Sequence, residues 1–100
     1  MEIRKQPVKT TEIPLKDAYE GWKFTARTNP PIKAFGHIAS GNFERIVTGL
    51  SKIIIKWNFV DEEGKPLSEP TEDTIGDCPL DLITMVSQEY MEEITKLPQA

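Results

Sequence analysis

The sequence predicts a small α+β fold, mainly helical, and three patterns carry that expectation. Apolar residues recur in steps of three and four at Phe43, Ile46, Val47, Leu50, Ile53, Ile54 and Trp57. That spacing puts them on one face of an α-helix. A second run of the same kind follows Pro79: Leu82, Ile83, Val86, Tyr90, Ile94 and Leu97. Between Tyr19 and Arg27 the period is two. There Trp22, Phe24 and Ala26 alternate with Lys23, Thr25 and Arg27, as in a half-buried strand.

A chain of 100 residues is one domain by length. Residues 1–11 are polar and charged with no sustained period, and read as a flexible N-terminal arm or a lone edge strand. The domain proper spans 12–98. Glu12-Ile13-Pro14-Leu15 forms a short edge segment, because Pro14 lacks the N–H a central strand needs. With the strand at Tyr19–Arg27 it makes a small N-terminal hairpin.

Asn29-Pro30-Pro31 ends that strand by removing two donors and holding Asn29 extended. The tripeptide reads either as a rigid corner or as a recognition loop. A short helix near 32–39 follows, with Pro31 at its first position and Ile32, Phe35 and Ile38 on one face. Gly36 weakens it, and Ser40-Gly41 breaks it.

The first long helix is predicted at about 42–56. Asn42 is its N-cap, and Glu44, Lys52 and Lys56 suit the two ends of the helix dipole. Gly49 costs about 1 kcal/mol relative to Ala inside a helix, so close packing must offset it. The β-branched run Ile53-Ile54-Ile55 also fits a buried strand. The helix is nonetheless predicted through Lys56, with extended chain from Trp57 to Val60.

Asp61-Glu62-Glu63-Gly64 is a turn, with Gly64 free to take positive φ, and Lys65-Pro66-Leu67 returns from it as a short hairpin-like excursion. Ser68–Asp77 is rich in Pro, Thr and acids and reads as a linker. The second long helix is predicted at about 79–96. Asp77 or Cys78 caps it, Pro79 takes its first or second position, and Asp81 lies in its first turn. Leu80, Met85 and Met91 broaden its apolar stripe, Glu89, Glu92 and Glu93 mark its wet face, and Pro98 closes it. The two long helices are expected to pack on each other, with the Trp22/Phe24 strand against one side.

Charge and composition narrow the functional classes. The net charge is −4. Residues 1–33 hold seven basic and four acidic residues, whereas residues 34–100 hold five basic and twelve acidic. Such an acidic chain is a poor nucleic-acid binder, since duplex affinity rests on Lys and Arg against phosphate. A single cysteine, Cys78, leaves no internal disulfide or cysteine metal site. No apolar run approaches the roughly 18 residues that span a membrane, and no secretory signal is recognised at the N-terminus. These features lead to the expectation of a soluble intracellular protein.

Catalytic and metal patterns are absent. His37 is the one histidine, with no nucleophile or acid at a recognisable spacing, and reads as a surface or packing residue. A helix-cap position can lower a thiol pKa, but no base stands beside Cys78. Asp61, Glu63 and Gly64 touch on a calcium loop, yet its further oxygen ligands and twelfth-position Glu are missing. No Gly-rich phosphate loop is present. The expectation is a protein with no enzyme activity, no cofactor and no metal.

The order of blocks is more specific than any one of them. Asn29-Pro30-Pro31 follows an aromatic strand, and Ser40-Gly41-Asn42 opens a helix. Trp57-Asn58-Phe59-Val60-Asp61-Glu62-Glu63-Gly64-Lys65-Pro66-Leu67 then precedes a Pro-led helix. Over roughly residues 12–98 this resembles the tail assembly chaperones of long-tailed bacteriophages and prophages. The resemblance implies a non-catalytic protein of the bacterial host's cytoplasm. It would bind the tape-measure protein, keep it soluble and help bring tail-tube subunits to it. In many such phages a ribosomal frameshift also makes a longer form. A structural virion protein of the tail or head–tail connector is the alternative that the same composition allows.

A chaperone of this kind must offer apolar surface to another chain, and helix-in-groove docking is the relevant mode. The candidate protein-binding residues are Phe35, Phe43, Trp57, Phe59, Met85, Tyr90 and Met91. Methionines suit adaptable packing, and a residual apolar edge would serve a partner or self-association.

Overall fold

A computed structural model describes residues 8–96. The chain forms an antiparallel sheet of three strands in the order β1 (Thr10–Pro14), β2 (Lys23–Arg27), β3 (Ile54–Trp57). Four helices accompany it: α1 (Ile32–Ala39), α2 (Phe43–Ile53), α3 (Glu72–Gly76) and α4 (Leu80–Lys96). The mixed α+β class is as predicted. Residues 1–7 of the expected arm, and Leu97 and Pro98 at the expected end of the domain, lie outside the described residues. Thr10 and Thr11, read as part of an arm or of a lone edge strand, begin β1 at the edge of the sheet and pair with Arg27 and Ala26.

Alternation decides which side of the sheet is inside. Ile13, Phe24, Ala26 and Ile54 point inward and are buried, while Thr10, Glu12, Pro14 and Lys23 stay exposed. Lys23 and Glu12 pair across that open face at 3.4 Å. Burying a Phe or Ile side chain contributes about 1.5–3 kcal/mol; an ion pair between exposed side chains contributes about 0–1. The buried face therefore sets the register.

The first long helix stops at Ile53, three residues before the predicted end, and Ile54 begins β3. Ile54 pairs with Ala26, Lys56 with Thr25 and Trp57 with Phe24, so Ile55 is the extra residue of a bulge and remains half-exposed. Adding a strand to the open edge of β2 satisfies a ladder and buries Ile54. That outcompetes one more helical turn at three β-branched residues. Asn58 prolongs the pairing with its side chain, accepting from Lys23 N–H at 2.8 Å and donating to the Gly21 carbonyl at 3.1 Å.

The other end of α2 forms as its sequence predicts. The Asn42 side chain accepts from Arg45 N–H at 3.2 Å, with Glu44 in the first turn and Lys52 in the last. At Gly49 a Cβ would lie 2.8 Å from the Ala34 carbonyl oxygen and 2.8 Å from Ile38 Cγ1. Glycine is there because α1 and α2 meet backbone to backbone.

Three packing expectations are corrected. The two long helices are not each other's main neighbours: α2 packs chiefly on α1 and α3, and α4 lies along β1. The linker at 68–77 contains α3, capped by Thr71, whose Oγ1 accepts from Thr74 N–H at 3.3 Å and whose Ile75 is fully buried. Pro31 and Pro79 sit one residue before the helical positions assigned to them, as the carbonyls that accept from Phe35 and Ile83.

Candidate protein-binding surface

Helix α4 is fastened to β2 and to the connection between β1 and β2 by three side-chain contacts. Near its start, Tyr19 donates to Asp81 Oδ1 at 2.9 Å. Further along, Lys16 Nζ meets Glu89 Oε1 at 3.1 Å. One residue on, the Tyr90 hydroxyl donates to the Arg27 carbonyl at 2.7 Å. Leu82, Ile83, Val86 and Tyr90 are thereby driven into the common core.

Met85 and Met91 flank that buried stripe and stay half-buried. They line a shallow groove with Gln88, Glu92 and Thr95 of α4, facing Ile38, Ala39 and Gly41 at the α1–α2 corner. The corner is tight because Gly41 takes φ 76°, a conformation that costs other residues about 1–2 kcal/mol. Ser40 holds it, donating to the His37 carbonyl at 2.7 Å and accepting from Asn42 N–H at 3.1 Å. Lys16 and Glu89 close one rim, and the hydrogen bond to Glu89 raises the Lys16 pKa above its usual value. The groove offers apolar floor and polar rim.

The structure brings only two of the seven candidate residues together there. Phe59 and Tyr90 are corrected: both are core residues, 1% and 0% exposed, and offer nothing to a partner. Phe59 is the hub of an aromatic cluster, stacked on Trp57 at 4.6 Å and packed against Trp22 at 5.3 Å and Phe24 at 6.4 Å. Trp57 is half-buried, and its Nε1 donates to the Ser68 carbonyl at 3.0 Å, so it tethers the chain after Pro66. Phe35 is half-buried on α1, and Phe43 is 51% exposed at the first turn of α2.

Ile32 and Leu80, expected on apolar stripes, are 87% and 63% exposed. Each opens its helix, where the first turn projects beyond the elements packed beneath it. Ile38, Ala39 and Gly41 line the groove without belonging to the sequence-predicted site. Their signal was the Ser40-Gly41 break, which marks a corner but not what faces it.

A second cleft lies at the start of α4. Tyr19, Trp22, Leu67 and Leu82 line it together with the 60–63 turn, Asp73, Asp77 and Cys78. Asp61 organises the turn by accepting from Glu63 and Lys65 N–H, both at 2.9 Å. The Cys78 thiol donates to the Thr74 carbonyl at 3.3 Å, and burial raises its pKa, the reverse of what a nucleophile needs. His37 packs on α2, its Cβ among the atoms crowding Gly49. Among the described residues no three His, Cys, Asp or Glu side chains converge to hold a metal. Comparison with family models, with curated proteins and with solved structures returned no match.

Proposed function

We propose that this chain is a non-catalytic binding protein that holds an apolar helical segment of another polypeptide, as a phage tail assembly chaperone does. One observation carries the reading: Met85 and Met91, flexible and half-buried, line an open groove against the α1–α2 corner. A groove with an apolar floor accepts anchors at helical spacing, and thioether side chains adapt to different ones. The block order at 29–31, 40–42 and 57–67 supports the more specific assignment, with the tape-measure protein as partner, tail-tube protein as a further one and the host cytoplasm as the place of action.

Co-expression with the tape-measure protein tests it. More soluble tape-measure protein and co-purification of the two are expected; no effect on solubility together with no co-purification sinks the proposal. A permanent structural role in the virion is the second reading, supported by the half-exposed Ile55 on the open edge strand β3, a surface suited to a fixed neighbour. Stoichiometric presence in purified particles would favour that reading over the chaperone.

A further inference from the structure

The cleft at the start of α4 combines a carboxylate rim with aromatic side chains. Its rim carries Glu62, Asp73 and Asp77, all exposed. Lys65 is the one basic residue lining it, and pairs with Glu63 at 3.6 Å. The other rim carboxylates make no ion pair within 4.0 Å among the described residues. Beside the rim, Tyr19 and Trp22 line the cleft and pack edge to face with ring centroids 4.9 Å apart; both are half-buried against the core, where Trp22 also meets Phe59. Aromatic faces beside carboxylates suit a guanidinium or ammonium, whose apolar stem the rings also cover.

We propose that this cleft docks a Lys- or Arg-bearing segment of a partner protein, its cationic heads on Glu62, Asp73 and Asp77 and its stems over Tyr19 and Trp22. The surplus of negative charge specifies the occupant: an acidic or purely apolar segment would leave these carboxylates uncompensated. The site is distinct from the Met85/Met91 groove, and the inference stands or falls apart from the function proposed above.

A fluorescein-labelled peptide of alternating Lys and Leu, and its counterpart with Glu for Lys, test the proposal by fluorescence anisotropy. The Lys peptide should bind and the Glu peptide should not. The combined Glu62→Gln, Asp73→Asn, Asp77→Asn variant should bind the Lys peptide about tenfold more weakly, with an unchanged circular dichroism spectrum. Raising NaCl to about 0.5 M should weaken the wild type more than the variant. Met85→Glu should leave this binding unchanged. Equal binding of both peptides, equal affinity of the triple variant, or loss of binding in Met85→Glu alone would each overturn the proposal.

Discussion

The Tyr90 hydroxyl donates to the main-chain carbonyl of Arg27 at 2.7 Å, joining the middle of α4 to the last residue of β2. The ring itself is 0% exposed, and the bond is partly shielded from water. Tyr90→Phe keeps the packing but leaves the partly buried Arg27 carbonyl without that donor. Such a loss costs about 1–3 kcal/mol, which urea denaturation should read as a lower midpoint with an unchanged slope.

Gly49→Ala tests the contact between α1 and α2. Alanine raises helix propensity by about 1 kcal/mol, but its Cβ would meet the Ala34 carbonyl oxygen at 2.8 Å. Overpacking of this kind costs about 1–3 kcal/mol, and the obstacle is backbone, which cannot swing aside. The net expectation is destabilisation, seen as a lower thermal midpoint. A stabilised variant would mean that α1 can move away from α2 at little cost. Asn42→Ala provides the opposite kind of control: it removes the side chain that accepts from Arg45 N–H without crowding anything, and should cost about 1 kcal/mol.

These two sites were legible in the sequence because their chemistry is local. An N-cap needs one oxygen three residues before one N–H, and a glycine inside an apolar stripe announces close approach. The end of α2 was not legible in that way. Ile53-Ile54-Ile55 fits both periods over so short a run, and the decision came from β2, whose open edge offers Ile54 a partner in Ala26. Helix α3 had a readable signal in Thr71 followed by Glu72 and Asp73, but only five residues and one buried side chain, Ile75, to support it. Exposure was the hardest to read. Phe59 shares one extended segment with Trp57, and Tyr90 shares one stripe with Met91; only the packing of the aromatic cluster around Phe59 and of α4 on the core separates core from margin.

The groove reading makes a separable prediction. Met85 and Met91 are half-buried at its floor, whereas Val86 between them in sequence is fully buried. Met91→Glu should keep the fold, since the new carboxylate can turn toward water at the open side. Its capacity to solubilise or co-purify a partner should fall by about tenfold or more, because a charge then replaces an apolar anchor. Val86→Glu should instead unfold the protein. A Met91→Glu chain that folds and still retains its partner fully would remove this groove from the interface.

Alkaline pH tests the core around Tyr90. Burial raises the folded-state pKa of its hydroxyl well above the ordinary value near 10. The unfolded chain therefore releases the Tyr90 proton at a lower pH than the folded chain does. The sign follows from linkage: the contribution is fully present below about pH 10, and is lost as pH rises from there toward the folded-state value. Circular dichroism followed from pH 8 upward should show unfolding setting in above about pH 10, with tyrosinate absorbance from Tyr90 appearing together with the loss of helix. Tyr90→Phe lacks the ionisable group, so its smaller stability should decline less steeply over the same range. Tyrosinate forming at Tyr90 while the helical signal stays intact would mean that α4 opens locally, and that the Arg27 contact does not hold it to β2.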